Sequence, residues 1–141
     1  FIEIIKPRYI FLGKKDYQQI YLIKKHIEIR NIRSKIIECN TIREKNGIAC
    51  SSRNSSLNKD QMKIASNIFY YLSDIKKKIK NNYSLFNVNK IKKDLIYLGA
   101  TKIDYLENYN IRSFKKIKRP NKKFNLFFAY YIKNIRLIDN I

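Results

Sequence analysis

The chain has 141 residues, 45% of them apolar, which is enough for one domain with a real core or for two small lobes. No apolar stretch approaches the roughly 20 residues that cross a bilayer, and no signal-peptide pattern is found, so we expect a cytoplasmic protein without a membrane partner. The net charge of +20 raises the possibility of nucleic-acid binding. Lys, Asn and Ile are abundant throughout the chain, as a coding bias toward these residues would produce. We therefore interpret the positive charge as a solvated basic surface and expect no nucleic-acid partner.

The first third of the chain predicts a strand, a helix and a second strand. The sequence begins at Phe1 with a strand-like pattern, which suggests a fragment or a split gene product. Residues 9–12 form a continuous apolar run, as in the buried strands of parallel sheets, and a helix follows from about residue 15. Residues 34–42 predict the second strand. We interpret residues 1–44 as the last strand–helix–strand unit of a doubly wound, Rossmann-like nucleotide-binding domain in an α/β fold.

The remaining residues, 45–141, predict a small α+β lobe with helices on an antiparallel sheet. Residues 47–56 are small and polar, and they predict a loop that crosses between the lobes. A helix begins near Asn58, where Gln61 completes a capping box, and a second helix ends at Gly99. Three strands follow, at residues 102–109, 123–131 and 135–141, with Pro120 marking the turn before the second.

Two polar segments predict a site for a nucleoside triphosphate. Gly13 and the residues after it follow the first predicted strand directly in the sequence. A glycine turn at the start of a helix favours the binding of a phosphate group. Lys15 adds a cation at that turn. About forty residues later, Ser51, Ser52 and Arg53 supply two hydroxyl groups and a planar set of donors.

At these segments the chain resembles the pantothenate synthetase family, the pantoate–β-alanine ligases. The resemblance is carried by FLGKKDYQQ at residues 11–19, IREKNGIACSSRN at 42–54 and RLIDN at 136–140. The order and spacing of these blocks are also similar to those of the family. The resemblance covers only the C-terminal half of such an enzyme, and nothing in the chain matches the family's N-terminal nucleotide-binding histidines.

The resemblance implies an ATP-dependent ligase of vitamin B5 and coenzyme A biosynthesis. Such an enzyme condenses (R)-pantoate with β-alanine through a pantoyl-adenylate intermediate and releases pantothenate, AMP and pyrophosphate. The implied substrates are ATP with Mg²⁺, pantoate and β-alanine, and the complete enzyme would be a homodimer. The chain alone would be incomplete.

The resemblance also implies roles for individual residues. Lys15 and Arg53 would act on the phosphates as catalytic residues, and Gln19 would bind pantoate. Asp16 would bind the ribose, although an N-cap is an alternative, and Ile42 would present its backbone to adenine, although its own pattern predicts a core strand residue. The residues implied in ATP binding are Gly13, Lys14, Lys15, Asp16, Ile42, Cys50, Ser51, Ser52 and Arg53.

Several residues have less specific interpretations. Cys39, Cys50 and His26 give no metal-ligand spacing, and we expect Cys50 to be a small buried hydrophobe. We expect Arg136 and Asp139 to form a structural ion pair or turn. The family usually has an acid in place of Lys14, and a glycine is common in place of Lys133.

Two alternative functions remain at this point. One is a basic RNA- or ribosome-associated protein, which the net charge would explain. The other is a related nucleotidyltransferase that has both phosphate-binding segments but uses a different acid as its substrate.

Overall fold

The protein has a mixed α/β fold, seen in a computed structural model that describes residues 1–117 and 123–141. The predicted turn at Pro120 lies outside the described residues. The described chain divides into two compact units, Phe1–Ile42 and Arg43–Ile141. The helices are α1 (Ile2–Ile5), α2 (Tyr17–Ile29), α3 (Lys59–Asn81) and α4 (Val88–Tyr97), and the strands are β1 (Tyr9–Gly13), β2 (Lys35–Cys39), β3 (Lys102–Asn110), β4 (Phe124–Ile132) and β5 (Ile135–Asn140).

In the first unit, β1 and β2 pair in parallel and α2 connects them. The register sets Tyr9 opposite Lys35 and Gly13 opposite Cys39, so both strands end at the same edge of the sheet. A salt bridge from Lys24 to Glu38 ties α2 to β2. The second strand is shorter than the predicted 34–42, because β1 ends at Gly13 and offers no partner beyond it.

The first residues of the chain are helical, so the predicted strand-like start is wrong. Ile2–Ile5 form one turn, and Lys6 ends it in the left-handed conformation at φ 47°. Pro7 disfavours the helical conformation in the residue before it. Residues 1–5 are apolar apart from Glu3, and so short a segment fits a helix turn as well as a strand, so its pattern could not distinguish the two.

Apolar side chains of the first unit remain exposed on its small sheet. Phe11 is 68% exposed and Ile37 is 39% exposed, although both lie in strands. Within residues 1–42, Ile20 on α2 is the one apolar side chain that is almost fully buried. Because parallel sheets are normally covered on both faces, this unit is an incomplete layer.

In the second unit, α3 and α4 pack on an antiparallel sheet of strand order β3-β4-β5. Most side chains of the central strand β4 are buried. Phe128 and Tyr130 face the helices, whereas Phe127 packs against Tyr109 and Phe114. Burial of an aromatic or large aliphatic side chain contributes about 1.5–3 kcal/mol. The buried side chains of this main core are Ile48, Ala65, Ile68, Leu72, Ile91, Leu95, Ala100, Leu106, Phe128, Tyr130, Ile132 and Leu137.

Both predicted helix signals of this unit are confirmed. The backbone N–H of Gln61 donates to Asn58 Oδ1 at 2.9 Å, and the N–H of Asn58 donates to Gln61 Oε1 at 2.9 Å. This reciprocal pair is the predicted capping box at the start of α3. Gly99 follows α4 at φ +109°, and a Cβ there would lie 2.9 Å from the Ile64 side chain.

Lys133 lies in a strained position at the β4–β5 hairpin. Ile132 pairs with Ile135, so Lys133 and Asn134 form a two-residue turn. The φ angle of Lys133 is 52°, in the left-handed region that side chains disfavour by about 1–2 kcal/mol. A positive φ at the first turn residue explains why glycine suits this position.

We therefore expect Lys133→Gly to stabilise the second unit by about 0.5–1 kcal/mol, since relief of strain exceeds the entropy that glycine loses on folding. Urea unfolding followed by near-ultraviolet circular dichroism measures the change. The matched control is Lys93→Gly, in the middle of α4, which we expect to destabilise the unit by about 1 kcal/mol. Destabilisation by both substitutions would contradict the assignment of strain to Lys133.

Candidate functional site

The predicted glycine turn lies at the edge where both parallel strands end. Gly13 ends β1, a 3₁₀ turn covers Lys14–Asp16, and α2 begins at Tyr17. Lys14 Nζ donates to Asn40 Oδ1 at 2.9 Å, so the turn after β1 is joined to the residue after β2. The amino end of α2 thus follows the turn directly, in the arrangement that favours an anion.

Asp16 occupies the N-cap position of α2 without acting as a side-chain cap. Its carboxylate makes no capping hydrogen bond with the described residues, and the side chain is exposed. Gln19 lies one turn further along α2 and is also exposed. The N-cap alternative for Asp16 therefore lacks the hydrogen bond that defines it.

Lys15 and Tyr17 flank this turn and are both half-buried. Partial burial, and then the negative charge of Glu38, raise the pKa of the Tyr17 hydroxyl above its ordinary value. Tyr17 consequently stays protonated at neutral pH. In addition to its backbone, the turn therefore carries the side chains of Lys14, Lys15 and Asp16, and a neutral tyrosine begins the helix that follows.

Ile42 lies outside β2 and is 75% exposed, so the core strand position that its pattern predicted is wrong. The strand stops at Cys39 because β1 provides no further partner. An exposed side chain places little demand on residue type at this position. Ile42 is the last residue of the first unit.

In the second unit, Arg43 anchors the segment that leads to the second predicted group. Its guanidinium donates to both carboxylate oxygens of Asp139, Nη1 to Oδ2 at 2.6 Å and Nη2 to Oδ1 at 3.2 Å. The same group donates to the carbonyl oxygens of Gly47 and Asn140 and stacks on the Phe69 ring at 4.6 Å. Two parallel bonds to a carboxylate fix the orientation of a guanidinium as well as its position.

Residues 50–53, for which the sequence predicts phosphate contacts and which are here called the phosphate loop for that reason, include the start of a short 3₁₀ helix at Ser52–Ser56. Ser51 is half-buried, and its Oγ accepts a bond from the backbone N–H of Arg53 at 3.3 Å. Ser52 and Arg53 are exposed. The predicted loop over 47–56 therefore contains a helical turn, and it lies within the second unit rather than crossing between units.

Asn54, which directly follows the phosphate loop, is buried. Its side-chain nitrogen Nδ2 donates to Glu44 Oε1 at 2.5 Å and to the carbonyl oxygen of Ala49 at 3.2 Å. Only 6% of the residue is exposed. The Oδ1 atom of Asn54 has no hydrogen-bond partner among the described residues.

The structure corrects two expectations about individual residues. Cys50 is exposed rather than buried, because Ile48 and Ala49 point into the core and the chain turns outward after them. Arg136 and Asp139 do not pair with each other. Arg136 pairs with Asp104 on β3, and Asp139 pairs with Arg43, so both are strand residues with separate partners.

Sequence reasoning gave no role to Arg43, Glu44 or Asn54, although all three lie in the motif at 42–54. A buried amide and an ion pair between residues 43 and 139 leave no periodic signal in a sequence. Their polarity on either side of two apolar core residues, Ile48 and Ala49, was the available indication.

The described residues contain no group of three or more His, Cys, Asp or Glu side chains arranged to hold a metal ion. They do not form a protein cage for Mg²⁺, which commonly binds through substrate phosphates instead. Along residues 1–117 and 123–141, none of the helices is both long and apolar enough to cross a bilayer.

The two groups of predicted residues lie in different units, the glycine turn in the first and the phosphate loop in the second. A family model for pantoate–β-alanine ligase matches residues 1–141, and the chain belongs to this ligase family. The pantothenate synthetases of Flavobacterium psychrophilum and Caldicellulosiruptor saccharolyticus are 34% and 37% identical to it. Each alignment covers 99% of this chain and 50% of the relative, so the chain spans about half the length of the curated relatives it matches.

Solved structures give the same result. The pantoate–β-alanine ligase of Francisella tularensis, complexed with beta-gamma ATP and beta-alanine, superposes with a TM-score of 0.71 at 32% identity. That alignment covers 99% of this chain and 45% of the Francisella chain. A pantothenate synthetase from Thermus thermophilus has a TM-score of 0.85 at 21% identity, over 99% of this chain and 51% of its own, and supports the fold alone.

Gly47 tests whether the segment before the phosphate loop depends on close packing. Its φ is +85°, and an added Cβ would lie 2.4 Å from the Phe69 ring, on which Arg43 stacks. We expect Gly47→Ala to lower the free energy of unfolding by about 2–4 kcal/mol, from backbone strain and overpacking together.

Gly13→Ala is the matched control, because its φ is −73° and no atom lies within 4 Å of the added Cβ. We expect it to change the free energy of unfolding by no more than about 1 kcal/mol. Urea unfolding of the 141-residue chain measures both. Equal effects of the two substitutions would contradict the packing argument at Gly47.

Proposed function

We propose that this protein is the C-terminal half of an ATP-dependent pantoate–β-alanine ligase. Pantoate's carboxylate attacks the α-phosphate of ATP, supplied as its magnesium complex, to form pantoyl adenylate and release pyrophosphate. The amine of β-alanine then attacks the acyl carbon, and AMP leaves as pantothenate forms. Residues 1–44 serve as the last part of a doubly wound, Rossmann-like nucleotide-binding domain, and residues 45–141 as a C-terminal domain that contributes the phosphate loop.

The observation that carries this proposal is the open backbone at Gly13. The glycine has an ordinary φ of −73°, and no described atom approaches the position of a Cβ, so packing within the first unit does not require glycine. A ligand that approaches the backbone closely would explain why glycine occupies this position. The position, at the carboxyl edge of a parallel pair and before α2, is the one where open α/β sheets bind nucleotides.

The residues after Gly13 have complementary chemistry for ATP and pantoate. Lys15 faces the α-phosphate, where negative charge is redistributed as the adenylate forms. Asp16, whose carboxylate is exposed and makes no cap bond, accepts hydrogen bonds from the ribose hydroxyls. Gln19 is exposed one turn later and binds pantoate. Lys14 is engaged with Asn40, so its part in ATP binding is through the backbone.

The phosphate loop supplies donors for the rest of the triphosphate. The hydroxyl groups of Ser51 and Ser52 donate hydrogen bonds to the β- and γ-phosphates, and Arg53 neutralises the charge of these phosphates. Cys50 and Ile42 contribute backbone groups, the latter to the adenine edge. Phosphoryl transfer of this kind depends on positioned charge more than on covalent catalysis by the protein, and these side chains suit that demand.

Loss of Lys15 or Arg53 separately tests the assigned electrostatic roles. In the complete enzyme we expect Lys15→Ala and Arg53→Ala each to remove about 2–4 kcal/mol of transition-state stabilisation, as loss of a preorganised charge does. Pantoate-dependent exchange of label between pyrophosphate and ATP reports the first step. Lys45→Ala, an exposed cation in the same motif, is the control and should leave the exchange rate within about twofold. Unchanged exchange in Lys15→Ala would disprove its role.

Gln19 tests the identity of the acid substrate. Loss of hydrogen bonds to a charged ligand costs about 1.5–3 kcal/mol, so we expect Gln19→Ala to raise the KM for pantoate about 10- to 100-fold and to spare the KM for ATP. Gln18→Ala is the matched control, since both glutamines are exposed neighbours on α2. Equal increases in both KM values would favour a related nucleotidyltransferase with another acid.

The exposed sheet predicts that the 141-residue chain depends on an N-terminal half. With Phe11 and Ile37 open to water, we expect the purified chain to associate and to make no pantothenate. Addition of the N-terminal half of a family member in trans should restore a defined assembly, with a homodimer as the complete enzyme. Light scattering and pantothenate formation measure the two effects, and ligase turnover by the chain alone would contradict the prediction.

A further inference from the structure

We propose that four polar residues of the second unit position the phosphate loop for the nucleotide. They are Arg43, Glu44, Asn54 and Asp139, here called the polar clamp. This inference rests on the proposed function, because it concerns the same loop. The four residues are positioning residues, since none is assigned a contact with a substrate.

The clamp begins on a rigid element. Asp139 lies on β5, which pairs with the central strand β4, and its side chain is only 10% exposed. Its carboxylate holds the Arg43 guanidinium by two bonds, and Arg43 in turn binds the carbonyl oxygen of Gly47. The turn before the phosphate loop is therefore fixed to the sheet through one side chain.

The backbone of the same turn is closed on itself. Arg43 and Ala49 form an antiparallel bridge, and the N–H of Glu44 donates to the carbonyl oxygen of Ile48 at 2.8 Å. Ser66 on α3 also donates to the carbonyl oxygen of Asn46 at 2.8 Å. Ala49, the last residue before the phosphate loop, is therefore held on the core side.

Asn54 holds the other end of the loop to this turn. Both hydrogen bonds of its Nδ2 atom end on the turn, one at Glu44 and one at Ala49. Both partners are acceptor oxygens, so the side-chain nitrogen of Asn54, which is a donor, must face them. Residues 50–53, which lie between the anchors, are thus closed into a short loop by a single buried amide.

The arrangement serves the loop more directly than the core. Buried ion pairs contribute little net stability compared with apolar groups of similar size, but they fix geometry. Every member of the clamp lies in, or bonds to, the segment that presents Ser51, Ser52 and Arg53. A loop held in its binding geometry loses less entropy on binding a phosphate and keeps its donors oriented.

Amide hydrogen exchange of the 141-residue chain tests the clamp without any ligand. The reporters are the N–H groups of Arg53, Asn54 and Leu57, which are bonded within this segment. We expect Asn54→Ala to accelerate their exchange about tenfold or more, because the substitution removes both hydrogen bonds that Nδ2 donates to the turn. The Oδ1 atom makes no hydrogen bond with the described residues, so the effect reports the Nδ2 bonds alone. Unchanged exchange would overturn the proposal.

Two further variants separate the clamp from general destabilisation. Glu44→Gln keeps an acceptor for Asn54 and should exchange as the parent does, whereas Glu44→Ala should resemble Asn54→Ala. The matched pair is Asp139→Asn and Asp104→Asn, each of which removes the carboxylate from an Arg–Asp pair whose aspartate lies in the same sheet. Acceleration at the reporters by Asp104→Asn as large as that by Asp139→Asn would overturn the proposal.

The complete enzyme gives a second readout, which a merely structural role would not produce. We expect Asn54→Ala to raise the KM for ATP in pyrophosphate exchange about tenfold and to leave the KM for pantoate unchanged. Parallel increases in both values would overturn the positioning role. If the parent enzyme shows no exchange at all, the proposed function fails, and hydrogen exchange still decides whether the clamp orders the loop.

Discussion

In a parallel pair of strands both carboxyl ends lie at one edge, and in this chain that edge holds Gly13, Lys14 and Asn40. The proposed nucleotide site in the first unit depends on that pairing, because only strands that run in the same direction bring the residue after β2 to the edge where β1 ends and α2 begins. The same pairing leaves the unit incomplete, since parallel sheets require cover on both faces. Phe11 and Ile37 are exposed for that reason.

The second unit differs from the first in the completeness of its core. Its central strand β4 is paired on both sides and buried along most of its length, so the core is complete around two helices and one sheet. The phosphate loop projects from this core without contributing large apolar side chains to it. Its order therefore comes from polar contacts, chiefly those of Arg43 and Asn54. Stability and the proposed binding chemistry are carried by separate sets of residues.

Local signals predicted the elements well where the physical cause is local. The capping box at Asn58 and Gln61 and the stop at Gly99 depend on residues three or four apart, or on one backbone angle, so the sequence contains them in full. Residues 2–5 were assigned wrongly because four residues are too few to show whether the apolar positions follow a helical or a strand period. The family motifs likewise identified the ligase family, which the match over residues 1–141 supports.

Predictions from the sequence were poorer where the cause lies far along the chain. The exposure of Ile42 depends on where β1 and β2 end, and that of Cys50 on where the chain turns outward after Ala49, and neither residue carries that information. The partners of Arg136 and Asp139 could not be assigned from their own segment, since one bonds to residue 104 and the other to residue 43. The proposed roles of Lys15, Gln19 and Arg53 remain predictions.

The bond between Arg43 and Asp139 joins residues that are 96 positions apart. Closing so long a segment has an entropic cost that local contacts do not offset, so the bond can persist only after β5 has paired with β4. We therefore expect the phosphate loop to acquire its final order late in folding, after the hydrophobic core that surrounds β4. In that order, the polar contacts of the loop would form on a scaffold that is already complete.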